Sequence, residues 1–165
     1  MIVYLVGMPG AGKSVVGREL ADRLGVPFLD LDERIEREAG VSVAEIFRTE
    51  GEAVFRAREA ATLVEASRQD PSVVACGGGV VLEPANRITL RNTGVVVFLN
   101  APLDVLRERI RPDAERPLIQ QDGDLERLLQ SREPLYREFA AHVVDGSGTP
   151  GAVAEAIVEE LRWSV

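Results

Sequence analysis

Lysine is almost missing from this chain: of 19 basic residues Lys13 is the only one, and the rest are arginine. Guanine-reading GTPases need an Asn-Lys-x-Asp motif late in the chain, so the shortage excludes that class. Cysteine is equally scarce. Cys76 alone cannot close an internal disulfide, which agrees with a reducing compartment, and it is expected as a small buried residue. No apolar run approaches the roughly 18 residues of a membrane span, and no basic leader precedes the first apolar run, so a cytoplasmic location is expected. Neither a basic stretch nor a basic–aromatic stripe offsets the formal net charge of −8, which repels a nucleic-acid backbone. Linkers, repeats and low-complexity segments are also lacking, and 165 residues are the length of one domain.

What is present is a globular composition, 45% apolar and 28% charged. Short apolar runs rich in β-branched residues recur at 2–7 (IVYLVG), 27–30 (PFLD), 72–77 (SVVACG), 95–100 (VVVFLN) and 142–145 (HVVD). They are continuously apolar rather than alternating, as strands covered on both faces are. Helical patterns lie between them at 13–24, 32–39, 42–68 with a break near Gly51, 84–91, 102–110, 124–140 and 150–163. Thr149 and Pro150 supply an N-cap and a first helical residue for the last of these. Strands alternating with helices predict a doubly wound α/β fold with a parallel sheet. The polar stretch 111–124, RPDAERPLIQQDGD, reads as a mobile loop.

The stretch GMPGAGKS fits G-x-x-x-x-G-K-[ST] through Gly7, Gly12, Lys13 and Ser14, between a predicted strand and a predicted helix. Gly10, Ala11 and Gly12 let backbone N–H groups turn inward on phosphate oxygens, and the helix beginning at Lys13 adds its positive dipole end. Lys13 is expected to reach the β- and γ-phosphates of ATP, and the Ser14 hydroxyl to bind Mg²⁺. Val15 stands where many such loops carry a second hydroxyl, so one side-chain contact to phosphate is expected to be lost. Motor ATPases place an acid at the end of a later strand, yet SVVA runs into CGGG. Asp30, closing the PFLD strand, is then the nearest metal-side carboxylate.

Three further clusters belong to the same sheet edge. Asp30 and Asp32 flank Leu31 and point the same way if the strand persists. Arg56 and Glu59, three apart in FRARE, share a helix face. Gly77, Gly78 and Gly79 follow a buried strand, which weakens it unless the backbone must approach something closely.

Taken in order, GMPGAGKS, LDLDERIE, IFRTEGEAVFRAREA, ACGGG, ERPL and SREPLYRE resemble the shikimate kinases, small P-loop kinases, over nearly the whole chain. The resemblance implies a three-layer P-loop NTPase fold, a five-stranded parallel sheet flanked by helices, in a single domain spanning 1–165. It also implies a substrate-binding segment at about 32–60 and a lid at about 111–124. Asp32 corresponds to the carboxylate that binds two ring hydroxyls of shikimate, the proton of the attacking one passing to Asp32 or to solvent. Asp30 corresponds to the Mg²⁺-side acid, Arg56 and Arg132 to a bidentate clamp on the shikimate carboxylate, and Glu59 to the acid that steadies Arg56. Gly77 to Gly79 match the glycines approaching the substrate, Arg116 the lid arginine over the phosphates, and Arg109 the arginine beside adenine. The implied reaction is ATP- and Mg²⁺-dependent phosphorylation of the 3-hydroxyl of shikimate, by a monomer. A related small-metabolite kinase of gluconate kinase type, or a nucleotide-binding module without chemistry, are the alternatives. DLD together with GGG favours shikimate, and intact Lys13, Ser14, Asp32 and Arg116 oppose the silent module.

Overall fold

A computed structural model describes residues 1–110, 117–121 and 123–162. Its centre is β1 (Ile2–Val6), whose five residues are all buried because helices cover both faces of the strand. Parallel pairing places β3 (Ser72–Ala75) on one side of it, Val3 opposite Val73, and β4 (Gly94–Asn100) on the other, Val3 opposite Val95. β2 (Phe28–Asp30) and β5 (His142–Asp145) close the two edges, giving the order β2-β3-β1-β4-β5. All pairings are parallel. Each strand coincides with a predicted run to within two residues: β4 starts one residue early, at Gly94, and the 72–77 run stops pairing at Ala75, two residues before Gly77.

The helices are α1 (Lys13–Leu24), α2 (Leu31–Ala39), α3 (Val43–Glu50), α4 (Glu52–Ala66), α5 (Pro84–Thr93), α6 (Leu103–Arg109), α7 (Asp124–Phe139) and α8 (Pro150–Arg162). Their ends follow capping chemistry. Ser42 accepts the Glu45 N–H at 3.1 Å to start α3, a cap worth about 1 kcal/mol. Gly51 separates α3 from α4 with φ 88, which a side chain would resist, so the predicted 42–68 pattern becomes two helices. Thr149 caps α8 by accepting the Ala152 N–H at 3.3 Å, as expected.

One core spans the sheet and includes Leu5, Leu20, Val74, Phe98 and Ile157. A separate small cluster of Ile35, Ile46 and Phe55, backed by Val43 and Phe47, joins α2, α3 and α4 into a unit beside it. Each fully buried aliphatic or aromatic side chain in these cores contributes about 1.5–3 kcal/mol relative to exposure.

The DLD expectation needs correction. The strand does not persist: β2 ends at Asp30, and Leu31 already begins α2. Asp30 is the N-cap, accepting the Glu33 N–H at 3.1 Å, so Asp32 projects from the first helical turn instead of from a strand. An aspartate at the cap satisfies an otherwise orphaned amide, which outweighs one more residue of edge strand.

Candidate active site

Parallel strands deliver their C-terminal loops to one side. Because Leu5 lies opposite Ala75, the loops after β1 and β3 emerge together, and the Cys76 N–H donates to the Leu5 carbonyl at 3.0 Å. A cleft of about 320 Å³ opens between these loops, α2, α4 and α7.

On one wall stands the phosphate loop. Gly7, Gly10 and Gly12 have φ of 150, 83 and 91, and no side chain caps the first turn of α1. Its leading N–H groups therefore remain available to an anion. Lys13 Nζ bridges the Gly7 and Met8 carbonyls at 2.8 and 2.9 Å, held across the mouth of the loop. The Ser14 hydroxyl donates to the Asp30 carboxylate, whose other oxygen caps α2, so hydroxyl and acid stand side by side as a metal site requires. Mg²⁺ takes few protein oxygens and leaves its other positions to phosphate and water, so this pair fits it. Val15 is 54% exposed and lines the cleft as an apolar surface.

The opposite wall concentrates buried charge. Glu59 is fully buried on α4 and receives Arg56 Nη1 at 3.0 Å; Arg56 also pairs with Glu52 at 3.3 Å. The shared helix face is as expected, and the Arg56 side chain is only 11% exposed. Arg132 of α7 is buried as well, which lowers its pKa by desolvation. Asp32 Oδ1 and Glu59 Oε2 are buried without a hydrogen-bond partner. Burial is the main cause that raises both carboxyls. Repulsion from Glu59 and then Asp30 adds to it at Asp32, which reaches about 7 against the pull of Lys13.

These side chains stand close to the three glycines. A Cβ on Gly77 would stand 2.8 Å from Glu59 Oε2 and 2.9 Å from Asp32 Oδ1; one on Gly78 would stand 3.3 Å from Arg132 Nη1; one on Gly79 would overlap the Arg56 guanidinium. None of the three has a positive φ. At Gly77 and Gly79 a Cβ would press on side chains of the protein itself, whereas at Gly78 the nearest atom would be Pro9 Cδ at 3.1 Å, which a small shift accommodates.

Of the expected site residues, Gly10, Gly12, Lys13, Ser14, Val15, Asp30, Asp32, Arg56, Glu59, Gly77, Gly78, Gly79 and Arg132 all line the cleft. Ala11 is fully buried behind it. Arg109 stands apart: its guanidinium donates to carbonyls of the phosphate loop, Gly10 and Ala11 at 3.4 Å, and to those of Gly146, Ser147 and Gly148 at 2.9, 3.2 and 3.5 Å. It pins the loop after β5 to the back of the phosphate loop. Arg116 lies outside the described residues. Of the 111–124 stretch, Pro117, Leu118 and Ile119 form cleft wall, and Ile119 is 7% exposed. These three residues pack against the cleft although the stretch as a whole is polar. Asp124 is the first residue of α7 and holds the N–H groups of Gln120 and Gln121 at 3.0 and 2.8 Å.

Sequence reasoning missed the apolar lining. Phe47 and Phe55 pack with ring centroids 4.9 Å apart, and the Arg56 guanidinium lies 5.2 Å from the Phe55 centroid. With only five phenylalanines in the chain, two flanking the Gly51 break were a signal available beforehand. Tyr136, whose hydroxyl donates to the Gly78 carbonyl, left no such signal.

Comparison with known proteins gives one answer at three levels. The family model described as shikimate kinase matches residues 9–162. A shikimate kinase of Aromatoleum aromaticum is 49% identical, with 98% of this chain and 95% of the relative covered. One from Halorhodospira halophila is 52% identical, covering 97% and 93%. The solved structure of a shikimate kinase from Acinetobacter baumannii in complex with shikimate superposes with a TM-score of 0.95 at 40% identity, covering 99% of this chain and 93% of that one. A deoxyadenosine kinase from M. mycoides, 18% identical with a TM-score of 0.66 and both chains covered completely, shares the fold.

Proposed function

This chain belongs to the shikimate kinase family, and from that premise we propose that its cleft holds shikimate against an ATP-loaded phosphate loop and directs the γ-phosphoryl group to the 3-hydroxyl. The protein is a phosphotransferase acting on an alcohol, and it uses ATP with Mg²⁺. The observation that carries the assignment of residues is the meeting of two arginines and two carboxylates around Gly77 to Gly79, on the wall facing Lys13.

Arg56 and Arg132 bind the substrate carboxylate, a task for planar bidentate donors. Asp32, with an unpartnered oxygen inside the cleft, accepts hydrogen bonds from ring hydroxyls and orients the attacking one. Glu59 holds Arg56 at 3.0 Å and keeps its fork in register. Phe47 and Phe55 keep water from the apolar side of the ring. On the donor side the N–H groups of Gly10 to Ser14 cradle the phosphates, and Lys13 leaves its two carbonyls for the β- and γ-oxygens. Ser14 and Asp30 would hold Mg²⁺, which when bound would offset the negative charge of the phosphates. Arg116, on a lid spanning about 111–124, adds positive charge late, and Arg109 supports the nucleotide side. Transfer thus depends on alignment and charge neutralisation, with little covalent work for the protein.

The domain reading is one unit over 1–165, with a substrate segment at about 32–60. No helix among the described residues is long and apolar enough to cross a membrane. We read the protein as a cytoplasmic monomer that does not bind nucleic acid, on its net charge of −8 and single cysteine.

A coupled assay of ADP release with ATP and Mg²⁺ tests the proposal. Release is expected with shikimate and near background with gluconate, nucleoside monophosphates or no acceptor. Release that follows another acceptor would remove the assignments of Asp32, Arg56 and Arg132.

A further inference from the structure

The Tyr136 hydroxyl is a buried polar group that the proposed reaction leaves without a task. Tyr136 sits on α7 one turn after Arg132 and is fully buried. Its ring stacks on Phe98 of β4 with centroids 5.1 Å apart, which anchors it to the middle of the sheet. Its hydroxyl donates to the carbonyl of Gly78, the central glycine of the three. The Arg132 guanidinium acts on the same phenol, opposing the burial that pushes it up to about 12, so the group is a neutral donor at ordinary pH. Arg132 also stands against Gly78, with Nη1 3.3 Å from where a Cβ would lie.

Three successive glycines have more backbone freedom than any other tripeptide, and ordering them at the moment of binding would subtract from affinity. A phenylalanine would fill the space against Phe98 equally well. The hydroxyl is therefore explained by what it holds.

We propose that Tyr136 is a positioning residue for the acceptor: its hydroxyl locks the Gly78 peptide and sets Arg132 beside it, so that the glycine backbone and the guanidinium form one prearranged surface for the substrate. This rests on the proposed acceptor role of Arg132 and the glycines.

The test is Tyr136→Phe, which keeps the ring stack, combined with Arg132→Ala in a double-mutant cycle read by calorimetric binding to nucleotide-free protein. Tyr136→Phe is expected to weaken shikimate binding about three- to tenfold, the range of one lost internal hydrogen bond, with ADP affinity changed by less than about twofold. Added to Arg132→Ala, it should cost less than it does alone. Unchanged shikimate affinity, equal losses for shikimate and ADP, or effects that multiply independently would each overturn the positioning role. If Arg132→Ala itself leaves shikimate binding intact, the acceptor assignment beneath it fails instead, so the two failures are distinguishable.

Discussion

Apart from Asp30 of β2, the phosphate wall of the cleft draws its groups from eight consecutive residues, Gly7 to Ser14, whereas the acceptor wall collects Asp32, Arg56, Glu59, Gly77 to Gly79 and Arg132 from α2, α4, the loop after β3 and α7. Their electrostatics differ as much as their origins. On the phosphate side the binding groups are N–H dipoles at a helix start, and Lys13 rests on two carbonyls at 2.8 and 2.9 Å. On the acceptor side ionisable groups are buried, and two carboxylate oxygens have no hydrogen-bond partner. Backbone dipoles are in place with or without a ligand and cost little to keep. Buried carboxylates are costly until something donates to them, and in the proposed function the hydroxyls of the substrate are those donors.

If the walls differ in this way, damage to each should read out separately. The largest effect belongs to Lys13→Ala, expected to lower kcat by roughly a thousandfold or more while calorimetric affinity for shikimate stays nearly unchanged. A parallel loss of shikimate affinity would mean that the walls are one unit. Gly79→Ala comes next: its Cβ would displace the Arg56 guanidinium, and a misplacement of about 1 Å is worth up to about a hundredfold. The loss should appear in the KM for shikimate and leave the KM for ATP alone; steady-state kinetics with each substrate varied decides this.

A pH titration gives the smallest effect and sharpens the comparison most. Asp32 is raised from its ordinary 3.8 to about 7, so the folded protein holds a proton that the unfolded chain has released. Stability from this group is accordingly present at low pH and lost as pH rises through about 7. Shikimate binding through the ionised carboxylate, as proposed above, should go the other way, weakening by up to about tenfold per pH unit below 7. Opposite slopes of melting temperature and calorimetric affinity in that window are the expected result, and Asp32→Asn should flatten both. Slopes of the same sign would show that Asp32 is not raised in the folded protein.

The phosphate wall was legible almost whole, since its spacing is local and its backbone geometry follows from glycine placement. The helix start at Lys13 was expected; Ser14 and Asp30 were each expected on the metal side, and their direct contact was not. The acceptor wall was legible as a set of residues through resemblance, but not as a geometry. Local pattern could not say that Asp32 leaves the strand for a helical turn, because the capping preference of Asp30 competes there with edge-strand pairing. Nor could it separate Arg109, which holds carbonyls behind the loop, from the arginines that face the cleft.

By itself the chain determined the alternation of strands and helices, the phosphate loop and its lysine, because hydrophobic period, glycine and capping residues act over a few neighbours. Only the tertiary structure decided which charges are buried together, which side chains crowd Gly77 and Gly79, and that Tyr136 reaches Gly78. Those outcomes depend on how α2, α4 and α7 converge on one sheet edge, and the free energy of a charge or a polar group is set by what surrounds it in space.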